Sequence, residues 1–125
     1  MSEQLPTPKR FCYINRKAPH GTGYALESLE SALVAGAFEQ DVTLVFLDDG
    51  VFQLVKDQTT DEIGLKNFSP TYKALSHYDI EKIYVEECSL TSRGLLPSDL
   101  IIDVEVLSSE QITDLLERQQ IIITA

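Results

Sequence analysis

Three groups of residues in this chain are of types that can do chemistry: Cys88 after Glu86-Glu87, the pair Asp48-Asp49, and His20 within Ala18-Pro19-His20-Gly21-Thr22. A thiol placed where a strand ends and a helical turn begins can be ionised by the N–H groups of that turn, and the thiolate is the nucleophile. Cys88 is therefore the candidate catalytic residue, although the carboxylates of Glu86 and Glu87 beside it disfavour a second negative charge. No histidine or basic partner can be located for it from the sequence.

Paired carboxylates such as Asp48-Asp49 can hold a divalent cation, as in phosphorelay receiver domains. That site also needs a further aspartate ending a central strand and a lysine after the last one, and no lysine follows the final apolar run at Ile121–Thr124. The plainer expectation is that Asp49 caps the turn after it and Asp48 is solvated, with no metal bound. His20, Gly21 and Thr22 form a loop ahead of a helix, where backbone N–H groups and the helix dipole can hold a phosphate or other anion. His20 can act there as acid, base or hydrogen-bond donor. The loop carries neither the spaced glycines of a dinucleotide site nor the Gly-Lys-Ser/Thr of a P-loop, so a histidine that structures the turn is the simpler expectation. Cys12 and Cys88 match no zinc or redox spacing and read as free thiols, Cys12 as a core residue within a strand.

The elements that must position these residues follow from periodicity. Phe11–Asn15 (FCYIN) is a short apolar run and reads as the first strand. From Tyr24 the period changes: Leu26, Leu29, Leu33 and Ala37 fall at helical spacing, with Thr22 as a plausible N-cap, so a helix is predicted to about Phe38. Val42 opens a run of β-branched and apolar residues that reads as a strand buried on both faces and ends at Asp48-Asp49-Gly50. Val51–Val55 is expected as a single helical turn and Lys56–Lys66 as a surface loop or broken helix. Asn67–Tyr78 is predicted as a helix capped by Ser69 with Pro70 at its first position. Ile80–Glu86 reads as the third strand, Leu90–Gly94 as a short helix closed by its glycine, and Leu100–Val106 as the fourth strand. Ser108 and Gln111 form a capping-box pattern opening a helix to about Gln119, and Ile121–Thr124 is the last strand. Strands alternating with helices predict one α/β domain, residues 9–125, with a mostly parallel five-stranded sheet in three α/β/α layers, behind a frayed tail over 1–8.

Bulk properties narrow the function classes. A length of 125 residues fits one domain with one core, and 43% hydrophobic with 24% charged residues is ordinary globular composition. No apolar run approaches the roughly 20 residues of a membrane span, and the polar start MSEQLPTPKR lacks the apolar core of a signal peptide. A cytoplasmic protein without membrane contact is expected. A net charge of −10 repels nucleic acid, so direct binding to it is disfavoured, and Lys9-Arg10 and Arg16-Lys17 read as solvated strand flanks.

Three blocks in this order, Ala18–Thr22 (APHGT), Asp49–Leu54 (DGVFQL) and Ser89–Leu95 (SLTSRGL), resemble the TusC/DsrF branch of the DsrE/F/H sulfur-relay family, and the likeness runs from Lys9 to the C-terminus. The resemblance implies a flavodoxin-like domain of the DsrE/F/H type. It further implies a subunit that joins TusB-like and TusD-like partners in a dimer of heterotrimers. Such a complex takes persulfide sulfur from TusA and passes it toward TusE, for 2-thiolation of the tRNA wobble uridine. The DsrF-like members sit in an analogous DsrEFH complex in sulfur oxidation. In both, the sulfur-carrying cysteine belongs chiefly to the TusD/DsrE subunit, and Cys88 matches no family catalytic position. Where the family tends to have a basic residue early in the first helix, this chain has Tyr24-Ala25-Leu26. A non-catalytic positioning subunit without a cofactor is the expectation, with Val51, Phe52 and Leu54 offered as apolar surface to a partner or to packing within the chain. The alternatives are a sulfurtransferase using Cys88 and an anion- or nucleotide-binding domain using the His20 loop.

Overall fold

The computed structural model describes residues 9–16, 24–55, 75 and 80–124, with side chains in the first helix described from Leu29 onward. Five strands, β1 (Arg10–Asn15), β2 (Asp41–Phe46), β3 (Lys82–Glu86), β4 (Glu105–Leu107) and β5 (Ile121–Thr124), form one sheet in the order β4-β3-β2-β1-β5. Every pairing is parallel, with Tyr13 opposite Leu44 and Ile123, and Phe46 opposite Val85. The helices are α1 (Tyr24–Ala37), α2 (Glu87–Thr91) and α3 (Ser109–Glu117), joined by 3-10 segments over Asp48–Leu54 and Pro97–Asp99.

Alternation along the strands builds two cores, one on each face. Tyr13, Val42, Leu44, Phe46, Ile83 and Val85 face α1, where Leu29 and Ala32 are buried against them. Their neighbours Cys12, Ile14 and Val45 point the other way, onto Ile112 of α3, with Leu115 and Leu116 packed alongside. The chain steps from β1 to β4 in one direction and then returns across the sheet to β5. Right-handed crossovers put α3 on the face opposite α1 for that reason. A fully parallel sheet needs both faces covered, and the expected three-layer α/β/α architecture is what the chain adopts.

The element boundaries shift where the sequence carries mixed signals. The fourth strand is shorter than Leu100–Val106: only Glu105–Leu107 pairs with β3. Leu100 instead makes an isolated antiparallel bridge to Val55, and Ile101 N–H donates to the Leu54 carbonyl at 2.8 Å. Apolar composition alone does not separate a strand from a buried extended link. The helical turn expected over Val51–Val55 begins earlier, at Asp48, as a 3-10 segment, and the short helix expected from Leu90 begins at Glu87. Its end is as the glycine predicts. Gly94 has φ +68°, its N–H donates to Thr91 O at 3.1 Å, and Leu95 N–H donates to Leu90 O at 3.0 Å, the two bonds of a Schellman cap. The capping box also forms, with Ser108 Oγ accepting from Gln111 N–H and Gln111 Oε1 accepting from Ser108 N–H. The tail over 1–8, the loop over 56–66 and the helix expected over Asn67–Tyr78 lie outside the described residues, except for Leu75, which is buried in the α1-side core.

Candidate functional site

The candidate residues at the carboxyl ends of β2 and β3 share one rim, the usual location of sites in open α/β sheets. β3 ends at Glu86 and runs directly into α2, which turns toward the α1 face, while β4 feeds α3 on the opposite face. Glu86 therefore sits between the first turns of two helices that leave the sheet in opposite directions. Its Oε1 accepts from Ser89 Oγ at 2.6 Å and from Cys88 Sγ at 3.2 Å, and its Oε2 accepts from Ser109 Oγ at 3.1 Å. Ser109 Oγ also lies 3.7 Å from Cys88 Sγ. Partial burial pushes the Glu86 carboxyl up, but the hydrogen bonds from Ser89, Cys88 and Ser109 outweigh that and the repulsion of Asp48, leaving it below its ordinary value. A carboxylate so stabilised is a weak base.

Cys88 is exposed and free. Its thiol donates to an anionic carboxylate, and among the described residues no imidazole or cationic side chain is bonded to it. The bonded base or cation that activates a thiol nucleophile is therefore not present at Cys88 among the described residues. Cys12 is fully buried, and burial pushes its thiol up to about 11. It is the core residue its place in β1 predicts.

Asp48 and Asp49 behave differently from expectation. Neither caps the 3-10 segment, whose N-cap is Leu47 and carries no side-chain bond. Each carboxylate is paired instead: Asp48 Oδ2 with Arg16 at 2.8 Å, and Asp49 Oδ1 with Arg93 at 3.1 Å. Both guanidinium groups come from other segments, so these partners could not be read from local sequence. Among the described residues no group of three or more metal-capable side chains exists, and the two carboxylates are spoken for by arginine.

Asp48 adopts a left-handed backbone, φ 49°, which aspartate tolerates better than most residues. That turn aims its N–H at Ser89 Oγ, 2.9 Å away. Ser89, itself buried, thereby links the end of β2 to Glu86 and the end of β3. Gly50 is required by close approach: a Cβ there would stand 1.8 Å from the Asn15 carbonyl oxygen. The Asp-Gly of DGVFQL is thus a packing device that folds the chain tightly over the end of β1.

The predicted partner surface is corrected by burial. Val51 and Leu54 are fully buried in the α1-side core, and Phe52 is half-buried. The 3-10 period turns these residues inward beneath the rim, so Val51 and Leu54 belong to this chain's own packing. Among the described residues, the large apolar side chains that do face solvent are Val34, Phe38, Leu96 and Ile122, with Phe38 74% exposed. His20, Gly21 and Thr22 lie outside the described residues. Sequence reasoning missed Glu86 as an organising group, together with Ser89, Ser109, Arg16 and Arg93. The one local signal was the Ser89-to-Arg93 spacing, which lets Arg93 Nη1 donate to Ser89 O at 3.2 Å across a helical turn.

Comparison with known proteins gives this geometry its context. The model of the DsrE/DsrF-like family matches residues 9–125. The chain is 56% identical over 93 residues to the intracellular sulfur oxidation protein DsrF of Allochromatium vinosum, covering 74% of this chain and 68% of that one. It is 40% identical over 106 residues to the TusC homologue of Vibrio parahaemolyticus, covering 85% and 90% of the two chains. With the TusC homologue of Pseudomonas aeruginosa it shares 38% identity, covering 89% and 93%. Among solved structures, the YchN protein of Escherichia coli superimposes with a TM-score of 0.80 at 18% identity, over 94% of this chain and 99% of that one, a likeness of fold.

Proposed function

Since this chain belongs to the DsrE/DsrF-like family, we propose that it is a positioning subunit of a TusBCD-like sulfur-relay complex rather than its sulfur carrier. In this role it sits with TusB-like and TusD-like subunits in a dimer of heterotrimers in the cytoplasm. The complex passes persulfide sulfur from a TusA-like donor toward a TusE-like acceptor for 2-thiolation of the tRNA wobble uridine. The observation that carries the non-carrier role is the state of Cys88, whose thiol donates at 3.2 Å to a carboxylate already held by Ser89 and Ser109. A persulfide carrier needs a thiolate, and this environment supplies negative charge where positive charge would be required.

The subunit role also accounts for apolar side chains that the chain leaves in water. Val34 and Phe38 lie one helical turn apart at the end of α1 and are 57% and 74% exposed, the spacing that presents one stripe to a partner. They replace Val51 and Leu54 as the candidate interface.

Co-expression with TusB-like and TusD-like chains is expected to yield a stable complex, and mass spectrometry after incubation with a persulfide donor is expected to show no added sulfur on Cys88. A Cys88→Ser chain should support relay at the wild-type rate. Loss of relay in that variant, with the complex intact, would transfer the role to Cys88. The higher identity to a sulfur oxidation protein favours a second reading, in which the chain serves a DsrEFH-type complex. Wild-type 2-thiouridine in a strain lacking this gene, together with impaired sulfur oxidation, would select it.

A further inference from the structure

We propose that a groove at the amino end of the sheet, remote from the Cys88 rim, binds a tetrahedral oxyanion between Arg10 and Arg118. Among the described residues, the face of the sheet that carries α3 has that nine-residue helix alone to cover it. The first residues of β1, β2 and β3 on this face are Arg10, Asp41 and Lys82, and they stay uncovered. With Tyr84 and the end of α3 they wall a groove of about 430 Å³.

Its charges are unevenly committed. Lys82 Nζ holds both carboxylate oxygens of Asp41, at 2.9 and 3.0 Å, so the groove's central anion is already neutralised. Of the four described arginines, Arg16 and Arg93 are ion-paired at the opposite rim. The two without a carboxylate partner among the described residues, Arg10 and Arg118, both line this groove. Arg118 spends only its Nε, on the Asp114 carbonyl at 3.2 Å. Glu117 lines the groove as well, so three cationic side chains stand there against two carboxylates, a local reversal of sign in a chain of net charge −10. Planar N–H forks match the oxygens of a tetrahedral oxyanion better than any other side chain does.

The test is a titration of the full-length chain with inorganic phosphate, followed by amide NMR at constant ionic strength, with sulfate as a second tetrahedral oxyanion and chloride as the control. Saturable shifts centred on Arg10, Tyr84 and Arg118 are expected with phosphate and with sulfate, and none with chloride. Arg10→Gln and Arg118→Gln should each weaken phosphate binding roughly tenfold or more, the scale of one lost charged hydrogen bond, while Arg16→Gln at the other rim should leave it unchanged. Both groove substitutions are at exposed positions, and an unperturbed amide spectrum confirms the fold. Non-saturating shifts, or equal shifts with phosphate and chloride, would mean charge screening alone and overturn the proposal. The relay role does not depend on this result.

Discussion

At Glu86, donors from Cys88, Ser89 and Ser109 meet one carboxylate, and the consequence is a pH dependence of known sign. Its folded-state pKa lies below its unfolded value, so its contribution to stability is present above the ordinary carboxylate range and fades as the pH falls through the folded value. Glu86→Gln keeps an acceptor oxygen and loses the charge. It should lower Tm near neutrality and show a shallower loss between about pH 6 and about pH 3; parallel wild-type and variant curves would refute this. Gly50→Ala places a methyl group against the Asn15 carbonyl. Denaturant unfolding should register a cost of about 1–3 kcal/mol or more, with the rim displaced as the 3-10 segment lifts.

Elements explain why single positions matter. The Asp48–Leu54 segment is anchored by Val51 and Leu54, both fully buried, and Leu54→Ala should cost about 2–5 kcal/mol. A smaller loss in urea denaturation would show that this segment is not part of the core. The helix α3 is held at its start by the Ser108–Gln111 box. Ser108→Ala should cost about 0.5–2 kcal/mol, and because Ser109 Oγ reaches Glu86 from the same turn, the amide shift of Glu86 should move as well. The exposed end of α1 makes a contrasting prediction. Phe38→Asp should leave the unfolding free energy of the isolated chain within about 0.5 kcal/mol of wild type while reducing co-purification with relay partners. Retained co-purification would remove Phe38 from the interface.

For the molecule as a whole, 20 acidic against 10 basic residues make a chain that nucleic acid repels. In a gel-shift assay at physiological salt the isolated chain should form no complex with tRNA, even though tRNA is the final acceptor of the proposed relay. A salt-sensitive complex would contradict this. Charge is nonetheless organised: the arginines at the carboxyl rim are neutralised by Asp48 and Asp49, and those at the amino end are not. A formal sum over the sequence averages the two ends away.

The strand and helix alternation, the parallel sheet, the helix start at Ser108 and the αL glycine at Gly94 were legible from the chain because each depends on near neighbours or on a short period. The APHGT, DGVFQL and SLTSRGL blocks likewise pointed to the family before any coordinate was considered. What depends on residues far apart in sequence was not legible. Asp48 meets Arg16 and Ser89, Asp49 meets Arg93, and Glu86 meets Ser109 across separations of 23 to 44 residues. Local rules therefore read Asp49 as a cap and left Val51 and Leu54 open to packing against a partner or within the chain. Only the tertiary structure turned the first into half of an ion pair and the other two into core, because a side chain's partner is set by which strand ends the sheet order brings together. Hydrophobic period determined that the chain folds as α/β. The order β4-β3-β2-β1-β5 decided that Ser109, at the start of α3, meets Glu86 at the end of β3.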